Sequence, residues 1–250
     1  MLKLRNEVGR LRQENTDLGS TSGLSKITAN PETRKMVRDQ QKMAMTGLYK
    51  GFAERVKLGP EQSEKFNDLL ADHIMDNVDR VTTALRDKLP LDQVNSLFAA
   101  QDAALEQKVQ ALLGPEALQQ YQEYSKNLLG SISAEQFKTK LAGSTEEKDQ
   151  KAKQLSQLLQ EEAQAVLANA GLPPNYQTVP MLNFRNIASE QEGEQSLKLM
   201  EDIFQRTAAR GSAFLSADEL AKFDEFKSAA ITNNRAALTL NRTLMAPIAK

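Results

Sequence analysis

The stretch Leu113–Tyr124, LGPEALQQYQEY, decides the fold class, because its pattern returns at Leu215–Phe226, LSADELAKFDEF. In each copy a leucine precedes a small residue at the helix-cap position. Pro or Ala then takes the first helical position, and an acid follows in the first turn, where it complements the helix dipole. Aromatic residues three positions apart come next. The pattern predicts the start of an amphipathic helix with its aromatic side chains on the buried face.

The helix before each copy also repeats, at an offset of 89 residues: Phe66, Leu69 and Leu70 correspond to Leu155, Leu158 and Leu159. We therefore predict two related three-helix units at residues 58–143 and 144–250, the second with a loop inserted at 172–184. The alternative is that helix starts resemble one another through capping alone. Within the shared stretch, only the columns Ala117/Glu219 and Gln119/Ala221 change chemistry.

Composition and further helix starts support an all-α fold. The chain has nine Phe, four Tyr, no Trp, 12 Gly and eight Pro, fewer aromatic and turn residues than a β-sandwich or barrel needs. Asn30-Pro31 predicts a helix that runs to about residue 57, Ile132 begins another predicted helix, and Ser144 with Glu147 forms a predicted capping box. We expect an N-terminal coiled-coil helix and a linker, followed by a multi-helix bundle.

The first 18 residues follow a heptad repeat, and residues 19–29 are a predicted flexible linker. A buried Asn at an a position fixes the register of a two-stranded coil, so this stem predicts a homodimer. The alternative is an isolated amphipathic helix. The residues expected to contact a partner through the stem are Leu4, Val8, Leu11, Asn15 and Leu18.

Residues 30–57 form a predicted basic helix that bears methionines. Residues 31–57 carry seven bases and three acids, whereas residues 60–135 carry six bases and 13 acids. The two segments are therefore expected to pack on each other, within or between chains. Acids interrupt the basic patch and aromatics do not interleave it, so nucleic acid is not expected and a membrane surface is a less favoured partner. Met36, Met43 and Met45 suit either adaptable contacts with a partner or, more commonly, core packing.

Little in the sequence suggests catalysis. There is no Cys, no Walker loop and no G-x-G-x-x-G or G-x-S-x-G motif, so we expect no enzyme activity, no cofactor, no metal site and no catalytic residues. His73, the single imidazole, is expected to be a partly buried structural residue, and a hydrolase built on it is the alternative. The acid pair Glu161-Glu162 is expected on a solvated helix face.

Two short elements carry a resemblance to a known family. Leu58–Gln62 and Ile132–Gln136 resemble the L-T-x-x-Q motif of the Spy/CpxP family of helical periplasmic proteins, with Gly59 and Ser133 where Thr is typical. The resemblance implies a curved dimer that binds non-native protein clients without ATP. The layout of residues 30–170 is also similar to bacterial secreted helical proteins that have no assigned activity.

The sequence is therefore consistent with two functional hypotheses. The favoured one is a non-enzymatic, periplasmic or otherwise extracytoplasmic binding protein, chaperone-like towards unfolded or envelope clients. The alternative is a structural or adaptor protein that docks a partner through its coil and basic helix, in the cytoplasm if Met1 is the true start and no export signal precedes it.

Overall fold

A computed structural model describes residues 30–246, and this part of the chain contains ten α-helices, one 3-10 turn and no strand. The all-α prediction is confirmed. The helices are α1 (Pro31–Leu48), α2 (Lys50–Arg55), α3 (Pro60–Asp87), α4 (Leu91–Leu113), α5 (Pro115–Lys126), α6 (Leu128–Lys138), α7 (Thr145–Asn169), α8 (Arg185–Ala188), α9 (Glu190–Gly211) and α10 (Ala217–Met245). None of these helices is long and apolar enough to cross a bilayer.

The described residues divide into two compact units. The terminal unit comprises residues 30–112 together with 240–246, and the central unit is Leu113–Thr239. The last turns of α10 therefore belong to the terminal unit. The repeat boundary at residues 143/144 stays a prediction, and the predicted stem (1–18) and linker (19–29) lie outside the described residues.

Most predicted helix boundaries have the expected capping chemistry. The side chain of Asn30 accepts hydrogen bonds from the backbone N–H groups of Glu32 and Thr33 at 2.9 and 3.2 Å. Ser144 and Glu147 form the predicted reciprocal capping box. Gly171 follows α7 with a φ of 66°, a left-handed conformation that suits glycine after a helix. Local side-chain chemistry thus fixes where α1 and α7 begin and where α7 ends.

Two predicted boundaries are wrong. The helix expected over residues 30–57 is interrupted at Tyr49, whose buried ring packs edge-on against Phe66 with 5.8 Å between centroids. Ile132 does not begin a helix, because α6 already starts at Leu128 and continues through it. In both cases burial of neighbouring apolar residues outweighs the local signal.

The core of the central unit is a cluster of phenylalanine rings set among aliphatic side chains of α7 and α9. Phe223 is fully buried, and its ring centroid lies 5.2 Å from that of Phe137 and 5.9 Å from that of Phe204, both edge-on. Phe226 stacks on Phe223 at 6.1 Å. In the other repeat copy Tyr121 is also buried, so the predicted burial of the repeated aromatic position is confirmed.

The terminal unit has a smaller aromatic centre. Phe52 of α2 and Phe66 of α3 are both buried, with ring centroids 5.1 Å apart. Together with Tyr49 they fix the end of α1 and the whole of α2 against the start of α3. These ring contacts hold the C-terminal end of α1 next to the N-terminal part of α3.

The segment 172–184 is irregular, as predicted, and it contains the 3-10 turn Pro180–Leu182. Two buried amide side chains hold the end of the segment: Asn186 donates from Nδ2 to the carbonyl of Pro180 at 2.8 Å, and Asn183 accepts from the N–H of Arg185, the first residue of α8, at 3.3 Å. The buried part of a loop is stable only when its backbone groups find such partners.

Candidate functional site

Helix α1 has two chemically different faces, and one of them is tied to α3 by ion pairs. Arg34 donates to both carboxylate oxygens of Asp79 at 3.1 and 2.8 Å. Arg38 contacts Asp68 at 2.8 Å and Asp72 at 2.5 Å. The predicted packing of the basic helix on the acidic segment is therefore confirmed within one chain.

The row of ion pairs continues at Lys42, which contacts Asp68 at 2.9 Å and also pairs with Glu64. Burial raises the pKa of Asp68, but hydrogen bonds from Lys42 and Arg38 outweigh it, so the net pKa lies below its ordinary value. The hydrogen bond to Glu64 is the main cause of the raised pKa of Lys42. Both partners are therefore charged across the physiological pH range.

The opposite face of α1 is apolar at two exposed positions. Met36 is 55% exposed and Met43 is 69% exposed. Seven residues are about two helical turns, so both thioethers project from the same side of α1. We call Met36 and Met43 the methionine face.

The three predicted methionine contacts therefore have different environments. Met45 is 8% exposed and packs in the core, as the core-packing interpretation predicts, but that interpretation is wrong for Met36 and Met43. The other predicted partner residues, Leu4, Val8, Leu11, Asn15 and Leu18, lie outside the described residues.

Sequence reasoning missed a second exposed apolar pair near the end of α10. Leu240 is 58% exposed and Leu244 is 44% exposed, one helical turn apart. Their signal in the sequence was weak, because leucines four apart on a long helix are usually core residues. Helix α10 also takes part in ion pairs, including Lys151–Glu219 and Arg235–Glu194, but these pairs precede the two leucines in the chain.

His73 lies on α3 and is largely buried. Its Nε2 is 2.8 Å from Nδ2 of Asn77, so the ring accepts from an amide when Nε2 carries no proton. Burial is the main cause of its lowered pKa. Asp102 and Asp76 act in the opposite direction, whereas Lys108 and Arg80 lower the pKa further. The arrangement favours a neutral imidazole bonded to an amide, which suits a structural role.

An open groove of about 280 Å³ between α3 and α4 is lined by Asp76, Asp79, Arg80, Thr83 and Leu97. Its acid Asp79 is already the partner of Arg34. Within residues 30–246, no group of three or more acidic or imidazole side chains is placed to hold a metal ion. The groove presents mixed charges that largely neutralise one another.

Two buried carboxylates of the central unit are structural. Glu162 is only 3% exposed and contacts Arg206 and Arg210, each at 2.6 Å, so the expectation that it lies on a solvated face is wrong. Glu219 is fully buried and contacts Nζ of Lys151 at 2.8 Å. It also accepts from the N–H of Ala142 and of Ser216. Glu162 links α7 to α9, and Glu219 links α10 to α7. Their carboxylates are held by these ion pairs, which indicates a structural role.

Comparison of the chain with protein-family models, with curated proteins and with solved structures gives no match. Membership of the Spy/CpxP family, which the similarity of Leu58–Gln62 to the L-T-x-x-Q motif suggests, therefore stays a prediction. The function proposed below rests on the geometry of α1.

Proposed function

We propose that this chain is a non-enzymatic, extracytoplasmic helical binding protein that is chaperone-like towards unfolded or envelope proteins, with the methionine face of α1 as its contact surface. The observation that carries the proposal is the exposure of Met36 and Met43 on a helix whose other face is fixed by ion pairs. Thioether side chains are flexible and polarisable, so they adapt to clients of varied shape.

The geometry supports this proposal better than a catalytic one. The ion pairs present the methionine face to solvent in a fixed orientation, while burial lowers the pKa of His73 and its ring is bonded to an amide. The proposed extracytoplasmic location and dimeric state rest on the family resemblance and on the predicted heptad stem.

The test is suppression of aggregation of reduced α-lactalbumin by the full chain at stoichiometric ratios. We expect suppression by the wild type and a loss of at least half of it in Met36→Gln/Met43→Gln. The matched control is Leu240→Gln/Leu244→Gln, which removes exposed apolar side chains elsewhere and should retain wild-type suppression.

Two results would count against the proposal. No suppression by the wild-type chain would remove the chaperone-like function. Equal losses in the methionine and leucine variants would show that general surface hydrophobicity, and not the methionine face, binds the client.

The adaptor function remains a second proposal, on the observation that not all the positive charge of residues 31–57 is used within the chain. Arg34, Arg38 and Lys42 pair with α3, but Lys35 and Lys57 lie on exposed positions. If the chain is an adaptor, Lys35→Glu/Lys57→Glu should abolish binding to an isolated partner while client suppression is unchanged.

A further inference from the structure

Helix α1 is attached to α3 largely through charged side chains, because few apolar side chains of α1 are buried. Met45 is the one buried residue of α1, and it lies in the last turn. Between Pro31 and Ala44 no side chain is buried, and Val37 is half-buried. Three bases of this stretch instead contact acids of α3.

Helix α9 shows the contrast within the same molecule. It also forms ion pairs with α7, through Arg206 and Arg210, but it buries Leu197, Met200, Ile203 and Phe204 as well. Burial of apolar side chains does not depend on Coulomb attraction, whereas ion pairs between partly exposed side chains are weakened by salt. Salt should therefore act on α1 and leave α9 in place.

The end of α1 is the point at which the chain departs from regular helix. Tyr49 interrupts the helix with φ −100° and ψ 11°, and its ring is anchored on Phe66. Glycines flank it at positions 47 and 51, and a side chain at Gly47 would meet nothing within 4 Å. Backbone hydrogen bonds still join Tyr49 to Met45 and Ala53 to Tyr49, so a change of direction here breaks one or two of them while the anchored ring stays in place.

We propose that α1 is a charge-fastened strap: it pivots about Tyr49 and detaches from α3 when its ion pairs are screened or broken. Ion pairs between partly exposed side chains are individually weak, so the attachment depends on the whole row from Arg34 to Lys42. Once detached, α1 loses its tertiary support, and a polar helix of 18 residues is only marginally stable alone in water. Its backbone amides then exchange with solvent.

The strap has a consequence for client binding. Detachment frees half-buried Val37, so Met36, Val37 and Met43 all become accessible on a segment that no longer needs to stay helical. This consequence rests on the proposed function, but the strap itself does not. The experiment below follows backbone exchange without any client, so a failure of the strap and a failure of client binding are distinguished.

The experiment is hydrogen exchange measured by mass spectrometry on the full chain at 20 mM and 1 M NaCl. The Debye length shrinks from about 20 Å to about 3 Å over this range. We expect amides of residues 34–44 to exchange about tenfold faster at high salt, and amides of α9 to change less than twofold. Equal rates for residues 34–44 at both salt concentrations would overturn the proposal.

Charge variants test the same point at low salt. Arg34→Glu should speed exchange of residues 34–44 about tenfold, and the charge swap Arg34→Glu/Asp79→Arg should restore most of the protection. Lys35→Glu makes the same charge change on the exposed face and should leave the rate unchanged. An equal acceleration in Lys35→Glu would overturn the strap, and the wild-type salt series decides the matter if a variant folds poorly.

Discussion

At the scale of single residues, Phe223 is the side chain on which the ring cluster of the central unit depends. It is fully buried and contacts the rings of Phe137 and Phe204. We expect Phe223→Ala to lower the free energy of unfolding by about 3–5 kcal/mol, because it removes a buried ring and leaves a cavity. Urea denaturation measures this loss. Phe226→Ala, at the half-buried neighbour, should cost clearly less, and equal losses would contradict the assigned burial.

Glu219 is the second residue with a large expected effect. Burial raises its pKa, but hydrogen bonds from Lys151 and from the N–H groups of Ser216 and Ala142 outweigh this and bring the pKa to about 2. Glu219→Ala should cost about 3–5 kcal/mol at pH 7, because it leaves Lys151 and two backbone donors without their acceptor. The neighbouring Asp218→Ala, whose side chain is 74% exposed, should cost less than about 1 kcal/mol.

The pH dependence of the Glu219 contribution follows from its lowered pKa. The ionised carboxylate stabilises the fold fully above the ordinary pKa of 4.5, and the contribution is lost as the pH falls towards about 2. The difference in stability between wild type and Glu219→Ala should therefore shrink between pH 5 and pH 2. A constant difference over that range would contradict the ion pair.

The lowered pKa of His73 predicts that folding stability also depends on pH in a higher pH range. Its folded-state pKa lies below the ordinary 6.5, mainly because of burial, so the unfolded chain binds the proton more readily. Stability is then fully present above about pH 6.5 and falls as the pH drops below it. Chemical denaturation at pH 7.5 and 5.5 should show this fall, and His73→Gln should reduce it. An unchanged pH slope in His73→Gln would show that other groups are responsible.

Glu219 illustrates how much of a single residue's role could be predicted from the sequence. Position 219 is one of two columns at which the repeated stretch changes chemistry, and Glu219 is the buried capping acid there. The corresponding Ala117 follows Gly114, which begins its helix at a φ of 88° without a side-chain cap. The sequence shows that Ala117 and Glu219 differ. Only the structure shows why, because it places Lys151 against the Glu219 carboxylate.

At the scale of helices, the capping box of α7 offers a direct test. Ser144 accepts from the N–H of Glu147 at 3.3 Å, and the Glu147 carboxylate accepts from the N–H of Ser144 at 2.7 Å. Ser144→Ala should cost about 0.5–2 kcal/mol, the usual loss when an N-cap side chain is removed. Ser228→Ala, in the exposed interior of α10, should be neutral within about 0.5 kcal/mol. Thermal or urea unfolding of both variants checks this.

Helix starts were predictable where local chemistry is sufficient, as at Asn30 and Ser144. They were not predictable at Ile132, which has an acid and a glutamine at the expected positions yet lies inside α6. There Leu128 and Leu129 are buried, and they extend the helix backwards. The break at Tyr49 likewise depends on Phe66, a residue 17 positions away that no local pattern includes.

At the scale of the whole molecule, the chain crosses from one compact unit to the other within α10. Met245 is 3% exposed and belongs to the terminal unit. Met245→Ala should therefore destabilise that unit by about 2–5 kcal/mol, the usual cost of truncating a buried methionine. Hydrogen exchange should quicken in α3 and stay unchanged in α7. Leu244→Ala, at a 44% exposed neighbour, is the control and should change neither helix.

The sequence by itself determined that the chain is helical, where several helices begin, that the first aromatic position of the repeated stretch is buried, and that the basic segment packs on the acidic one. These properties follow from side-chain periodicity, capping and charge, which act over a few residues or through net sign. Only the tertiary structure decided that Met36 and Met43 face solvent while Met45 is buried, and that Glu162 and Glu219 are buried ion-pair partners. Exposure depends on which distant helix covers a face, and that choice is made by the packing of the whole chain.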